Sequence, residues 1–484
     1  MRRFFARNIL FIISVNLLVK PVWIFLIDRT VQNKVGHASY GIYQALFNLG
    51  LVFQILLDFG INNYNSTSLA QNPKQLNQLF PAMLSARVVL SGLYLALVSG
   101  IALALGYRGW QIALLEGVLF IQCINSILQF IRSNVNGLHK FKADGVLSVA
   151  DRFLMILICG ALLVLPATSE NFRIEWFVLS QIVSYGIAVI IGVFLLKKMT
   201  RVKLRFSFDI RKVWSIIRQS FPYALLIFLM SIYTRADMML IERLSGAEGS
   251  EQAGIYAAAY RLLDVGNMFG VMFASMLLPL FGRMLANKKN VLPIVQLSLN
   301  LLLPVSFLVM TAGVFFSSEI MHLLYRHTRE TDVAVFTWLM IAFPAFSLSN
   351  VYSTLLTASG DLRVLNRIAF AGTVLNLALN FILIPKYFSL GAAIAAFVTQ
   401  TLLAILFMVY AQKQVNLPVN LKRSFTFIGY LVMVAGIAWM VRTLPVNWLV
   451  QVVLLFLSGI LLLLAFRFVS IRAAMQLMNN EEPG

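Results

Sequence analysis

The 484-residue sequence predicts an all-α integral membrane protein of about fourteen transmembrane helices. Three observations carry that expectation. The chain is 60% hydrophobic and only 12% charged, more apolar surface than a soluble fold can bury. Apolar windows of about 20 residues, the length a helix needs to cross a bilayer, recur along the sequence. The 39 Lys and Arg residues, against 19 Asp and Glu, fall mostly in short gaps between those windows. A net charge of +20 then reads as the positive-inside distribution of a multi-pass protein, and no nucleic-acid partner is expected.

The windows lie near residues 8–27, 40–61, 80–105, 110–131, 146–166, 174–196, 220–242, 253–280, 292–316, 333–357, 364–385, 389–411, 425–442 and 446–467. A cytoplasmic N-terminus puts roughly 25 Lys and Arg residues in cytoplasmic segments and about 9 in the opposite loops. Segment 197–218 decides the orientation. It holds Lys197, Lys198, Arg201, Lys203, Arg205, Arg211, Lys212 and Arg218 against the single acid Asp209, so it belongs inside. Segment 243–252, with Glu248 and Glu251, belongs outside, and both termini are then cytoplasmic.

Loop lengths and motifs exclude several functions. No gap exceeds about 20 residues, which leaves no room for a soluble catalytic or nucleotide-binding domain. No GxxxxGK[ST] phosphate loop occurs, so ATP hydrolysis is not expected. A membrane glycosyltransferase or polymerase would carry a large outer loop with catalytic carboxylates, and none is present. Cys123 and Cys159 lie in apolar segments, the four histidines fall in loops, and no CxxC, CxxH or HExxH spacing supports a metal or disulfide. The first apolar segment is too long for a cleavable signal peptide and lacks a small-residue cleavage site.

An internal repeat runs through the chain. Gly41-Ile42-Tyr43 opens the second span and Gly254-Ile255-Tyr256 the eighth. Asn136-Gly137-Leu138-His139-Lys140 after the fourth span resembles Ser359-Gly360-Asp361-Leu362-Arg363 after the tenth, and Pro166 and Pro385 close the fifth and eleventh. A spacing of six spans preserves orientation, so the halves are parallel repeats. The expected organisation is an N-lobe at 1–200, a basic cytoplasmic linker at 201–218, a C-lobe at 219–412, and two further helices with a tail at 413–484. A central cavity between two six-helix lobes is the expected binding site.

Five basic residues, Lys20, Arg87, Arg152, Arg235 and Arg261, fall inside predicted spans. A cation in hydrocarbon costs several kcal/mol unless it faces a cavity or a partner, which makes each a functional candidate. Lys20 lies ~16 Å along its helix, near mid-bilayer, with Pro21 beside it to permit a bend. It either contacts cargo or pairs with a carboxylate such as Asp58 or Asp264. Arg235 stands in the outer half of its span, as a cargo contact or an interface anchor, with Asp237 two positions on and on a different face. Arg261 and Asp264, three apart, can meet on one face as a structural pair or as a cargo site with a competing acid. Arg87, close to the cytoplasmic end, either snorkels to the headgroups or lines a cytoplasmic access point. Asp151 and Arg152 read as a conformational latch reaching Asp58 or the basic loop. Asn16, Asn48, Asn267, Asn376 and Asn380 suit sugar hydroxyls or interhelical hydrogen bonds. Cations drawn from both halves imply an anionic cargo, because Lys and Arg in a wet cavity replace the hydration of a diphosphate with charge-assisted hydrogen bonds.

The motifs also carry a family resemblance. Tyr40-Gly41-Ile42-Tyr43 to Leu57-Asp58-Phe59-Gly60-Ile61 resembles the second helix of polysaccharide-biosynthesis (Wzx-type) flippases. Asn136-Gly137-Leu138-His139-Lys140-Phe141-Lys142, leading into Ser148-Val149-Ala150-Asp151-Arg152, is similar too. So are Gly254-Ile255-Tyr256 to Leu277-Leu278-Pro279, Leu356-Thr357-Ala358-Ser359-Gly360 and Leu375-Asn376-Leu377-Ala378-Leu379-Asn380. The resemblance spans about residues 1–410 and implies the superfamily that also holds lipid II flippases and multidrug (MATE-type) exporters. It implies no enzyme, but alternating-access transfer of an undecaprenyl-diphosphate-linked oligosaccharide to the outer leaflet of a bacterial inner membrane. The product serves surface polysaccharide or O-antigen assembly, and a glycan polymerase or glycosyltransferases are the expected protein partners. Lys20, Arg87, Arg235 and Arg261 are the expected cargo contacts. Asp264, Asp237, Asp58, Asp151, Arg152 and Pro21 are the expected coupling or gating residues. No cofactor is expected, and protons or sodium are the coupling ions weighed. Fourteen spans bring the chain closer to the lipid II flippases, whereas a multidrug exporter with cationic cargo would want carboxylates where these basic groups lie.

Overall fold

A backbone that crosses hydrocarbon must satisfy its own hydrogen bonds, which a helix does within one segment. The computed structural model follows that rule, with no β-strand among its described residues. Those residues are 19, 21–59, 61, 62, 65, 69, 76–138, 140–200, 210–326, 328–418 and 421–468. The first predicted span, including Lys20, lies mostly outside them, as do 201–209 of the basic linker and the tail from 469.

A π-helical turn, Trp23–Asp28, leads into α1 (Arg29–Val52), and a 3-10 turn, Gln54–Leu57, follows it. Next come α2 (Leu76–Ala104), α3 (Trp110–Gly137), α4 (Phe141–Val164), the short α5 (Pro166–Ser169) and α6 (Ile174–Thr200). Then follow α7 (Ile210–Leu244), α8 (Gly249–Ala286), α9 (Leu292–Phe315), the short α10 (Ser317–Leu324) and α11 (Glu330–Ala358). The chain ends in α12 (Leu362–Gln414), α13 (Leu421–Arg442) and α14 (Trp448–Ala465).

Eleven described helices are long and apolar enough to cross a membrane. One of them, the 53-residue α12, holds two predicted spans that meet at a kink where Phe388 has φ +53°. Pro385, three residues earlier, removes a backbone donor and weakens the helix there. The second predicted span is α1 with its 3-10 turn. Gly36 breaks the start of α1 at φ +81°, a conformation open to glycine without strain.

Chain contacts divide the protein into two compact units, Met1–Ala257 and Ala258–Gly484, with the boundary inside α8. In the first unit Phe80, Met83 and Leu90 of α2 pack with Phe130 and Val135 of α3, Leu147 of α4 and Leu196 of α6. In the second, α12 buries Ala392, Ala393 and Ala395 completely. Lipid tails are as apolar as leucine, so helices in a bilayer gain from close packing of small residues more than from hiding large ones. Large side chains accordingly face outward: α2 exposes Val89, Leu93 and Leu97 at four-residue spacing while burying Leu90, Tyr94 and Val98. On α14, Val453, Leu457 and Leu461 point out while Leu455, Gly459 and Leu463 point in.

Candidate functional site

Polar side chains gather in three clusters of the first unit and in one band of the second. The first cluster surrounds the π-helical turn that begins two residues after Pro21. Widened π turns recur at functional sites because they re-aim side chains within a helix. Here the turn ends at Asp28, which is buried and accepts a hydrogen bond from Tyr40 Oη at 2.8 Å. Gln44 Nε2 donates to the same Tyr40 oxygen at 2.5 Å, and Gln181 Nε2 donates to Tyr43 Oη at 2.8 Å. Arg152 stands over the rings of Trp23 at 5.3 Å and Tyr185 at 5.7 Å. Its Nε lies 3.7 Å from Asp151. Arg152 thus belongs to an aromatic and acidic chamber inside the first unit. Asp28, Gln44 and Gln181 carry no role in the sequence reading, and Tyr40 enters it only within the family motif. The available signal was Asp28 itself, an acid one residue past the predicted end of the first span.

Arg87 centres the second cluster and is 1% exposed. One terminal nitrogen donates to Asp58 at 2.5 Å and Asn62 at 2.6 Å; the other donates to the Ser126 carbonyl at 2.9 Å, the Ser126 hydroxyl and the Leu57 carbonyl at 3.3 Å. The Phe130 ring lies 5.0 Å beneath its guanidinium. The 3-10 turn at 54–57 opens this site by turning the Leu57 carbonyl out of the regular ladder. Asp58, weighed as a counter-charge for Lys20 or Arg152, is the partner of Arg87. Such an arrangement ties the end of α1 to α2 and α3.

The third cluster joins α1 to α7 and the first turns of α8. A Cβ on Gly41 would lie 1.8 Å from the Ser250 carbonyl oxygen, and one on Gly254 would lie 2.1 Å from the His37 carbonyl oxygen. Only glycine permits so close a crossing, and these are the glycines that open the two copies of the repeat motif. Gln32 Nε2 donates to the Gly254 carbonyl at 2.9 Å, and Tyr256 Oη donates to Asp237 Oδ2 at 2.8 Å. Arg235, two residues before Asp237, is half-buried. At the α2–α3 loop Tyr107 Oη donates to Glu242 at 2.8 Å, and Arg243 covers the tyrosine ring at 3.4 Å. Burial, with the Glu242 carboxylate adding to it, pushes the Tyr107 phenol upward, which keeps it a donor.

In the second unit Arg261 is buried on α8 and donates to Tyr325 Oη at 3.5 Å. Tyr325 in turn donates to the Ala258 carbonyl at 3.3 Å. Asp264 and Asn267 follow at three-residue intervals, and Asn350 Nδ2 of α11 donates to Asn267 Oδ1 at 2.9 Å. On α12, Asn380 Nδ2 donates to Asn376 Oδ1 at 3.1 Å, and both residues are fully buried. On α8, Arg261, Asp264 and Asn267 set a cation, a carboxylate and an amide at three-residue intervals, groups suited to phosphate and sugar hydroxyls. Among the described residues no group of His, Cys, Asp and Glu is arranged to hold a metal ion.

Comparison with known proteins places this architecture. The chain is similar to the lipid II flippase MurJ in its inward closed conformation, at 15% identity over 98% of this chain and 99% of that one, with a TM-score of 0.69. It is similar to a multidrug resistance MATE family transporter of the MOP superfamily, inward-facing, at 14% identity over 84% and 98%, with a TM-score of 0.66. A MOP superfamily transporter from Pyrococcus furiosus aligns at 12% identity over 85% and 94%, with a TM-score of 0.57. At these identities the likeness is one of fold. No similar sequence is found among curated proteins. The MatE family pattern matches residues 222–382, a third of the chain. The pattern described as polysaccharide biosynthesis protein matches residues 5–285, more than half of it, and with the fold of MOP-superfamily transporters around that match, the chain belongs to the polysaccharide biosynthesis protein family.

Proposed function

We propose that the protein is a flippase that carries an undecaprenyl-diphosphate-linked oligosaccharide from the inner to the outer leaflet of a bacterial plasma membrane, for surface polysaccharide or O-antigen assembly. The family match over residues 5–285 carries this reading, and the buried cation Arg261 supports the charge of the cargo. A diphosphate bears about two negative charges and cannot cross hydrocarbon bare. Lys20, Arg235 and Arg261 are the cargo contacts in this proposal, and Arg87 holds the cytoplasmic end of the path in shape. The lipid tail stays in the bilayer while the headgroup crosses by rocking of the two repeats. In that cycle the crossing at Gly41 and Gly254 has to part. An inside-negative potential favours outward movement of an anion by about 2.3 kcal/mol per charge per 100 mV. Asp237 and Asp264 are the proposed sites for coupling protons or sodium, with Asp58, Asp151, Arg152 and Pro21 in gating. Both termini are cytoplasmic in the proposed topology, and glycosyltransferases or a glycan polymerase supply and use the cargo.

A second reading, transfer of lipid II for peptidoglycan, follows from the flippase whose fold is similar over 98% of the chain. Translocation in proteoliposomes separates them, using labelled undecaprenyl-diphosphate-oligosaccharide and lipid II side by side. Lys20→Ala, Arg235→Ala and Arg261→Ala should each slow transfer about tenfold or more, as loss of a charge-assisted contact predicts. Normal transfer by all three variants would overturn the cationic-site proposal, and transfer of cationic drugs instead would restore the multidrug reading.

A further inference from the structure

Two adjoining cavities of the second unit lie away from the residues assigned to cargo. The first, of about 270 Å³, opens among α9, α11, α12 and α13. Leu299, Leu303, Leu348, Met408, Phe427 and Ile428 form its apolar wall, and Ile428 is more than half exposed, so that wall reaches the lipid-facing surface. Arg423 stands in the same cavity. Its Nε and one terminal nitrogen reach Asn300 Oδ1 at 3.2 and 2.7 Å, and that terminal nitrogen also reaches the Gln296 carbonyl at 3.0 Å. These acceptors fix the direction of the guanidinium.

The second cavity, of about 430 Å³, contains Lys288, Lys289, Asn290 and Asn416. It shares Leu292, Leu417 and Pro418 with the first. Two loops build this basic mouth, the one between α8 and α9 and the one between α12 and α13. Among the described residues, no Asp or Glu lines either cavity. Three cations beside a leucine-walled chamber that touches lipid make an amphipathic site, complementary to an anion attached to a hydrocarbon chain.

The geometry points to a binding site for an anionic membrane phospholipid, with its phosphate between Arg423, Lys288 and Lys289 and part of one acyl chain in the leucine-lined chamber. Arginine presents a planar fork of donors that matches phosphate oxygens, and a lysine ammonium adds charge without demanding one orientation. The chamber lies just below the usual range of ligand pockets, ~300–1,000 Å³, so it takes a stretch of one chain while the rest stays in the bilayer. Loops 287–291 and 415–418 are cytoplasmic in the proposed topology, where anionic lipids create a negative surface potential that draws basic groups. A phospholipid held there splints α9 to α13, and so ties the last two helices to the rest of the second unit.

Thermal unfolding of the full-length protein in mild detergent tests the site. Dioleoylphosphatidylglycerol should raise the unfolding midpoint in a saturable way, while dioleoylphosphatidylcholine and inorganic phosphate should leave it unchanged. Arg423→Gln combined with Lys288→Gln and Lys289→Gln should weaken the apparent affinity for the anionic lipid at least tenfold. Leu299→Trp, which fills the chamber and leaves every charge in place, should weaken it as well. Equal shifts with both lipids, a full shift with phosphate alone, a shift with undecaprenyl phosphate but none with phosphatidylglycerol, or variants that respond like the wild type would each overturn the proposal. A second measurement needs no variant: phosphatidylglycerol carrying a photoreactive acyl chain should label peptides 292–303 or 423–428 of the wild-type protein. Labelling confined to other segments would overturn it equally.

Discussion

Arg87 and Asp58 show how a charge survives inside a membrane-spanning bundle. The guanidinium is nearly inaccessible, yet its two terminal nitrogens have five acceptors between them, and one of these is a carboxylate at 2.5 Å. Removing one partner of a fully buried pair costs about 3–5 kcal/mol, and because the Asp58 side chain is 28% exposed the cost here lies at or below the low end of that range. Asp58→Asn should therefore lower the unfolding midpoint clearly, and Arg87→Met combined with it should restore much of the loss. A double variant no more stable than the worse single one would take the ion pair out of the explanation. The sequence made the cation visible, because one arginine in an apolar run stands out. Its partner was not visible, since Asp58 lies 29 positions away and only folding selects it over other carboxylates. Asp28 was missed for a related reason. Hydropathy ends the first span one residue before it, whereas the π-helical turn carries the helix through it.

Helix pairs are governed by backbone approach. The crossing of α1 with the start of α8 brings Gly41 and Gly254 so close to backbone oxygens that no rotamer change could admit a methyl group. Gly254→Ala must push the helices apart, and overpacking of this kind costs about 1–3 kcal/mol. The same displacement should lengthen the Gln32 contact with the Gly254 carbonyl. His37, whose carbonyl faces Gly254, reports on it: a His37→Cys protein should react faster with a membrane-impermeant maleimide when Gly254→Ala is added. Unchanged reactivity together with an unchanged unfolding midpoint would mean that the two helices do not hold this crossing in the membrane. The glycines were legible as the openings of a repeat. Their meeting was not, because two segments 213 positions apart carry no sequence signal that they touch. The kink of α12 was more accessible, since Pro385 and the gap between predicted spans marked it in advance.

At the scale of the whole molecule, the bilayer makes the fold class readable and leaves the compact units hidden. Each span must be apolar and about 20 residues long, so hydropathy finds it whatever it packs against. Division into Met1–Ala257 and Ala258–Gly484 depends on which segments fold against one another and cuts α8 near its start, where hydropathy sees one continuous span. Orientation depends on charge placement. Eight basic residues against one acid in 197–218 resist translocation, and the proposed topology puts the next loop, with Glu248 and Glu251, outside. Alkaline phosphatase, active only outside the cytoplasm, should therefore be active when fused after Ala247 and inactive when fused after Arg205. Green fluorescent protein at the C-terminus, which folds in the cytoplasm, should fluoresce. Seven spans separate residue 247 from the C-terminus if α12 crosses twice, and an odd number puts the two points on opposite sides. A fluorescent C-terminus with an inactive fusion at 247 would require an even number of crossings, and with it a different reading of α12. Active phosphatase at 205 would reverse the orientation and move the basic mouth around Lys288 and Lys289 away from the anionic leaflet. The positive-inside rule makes that outcome the costly one for this chain, because it would translocate the most basic segment between any two of its spans.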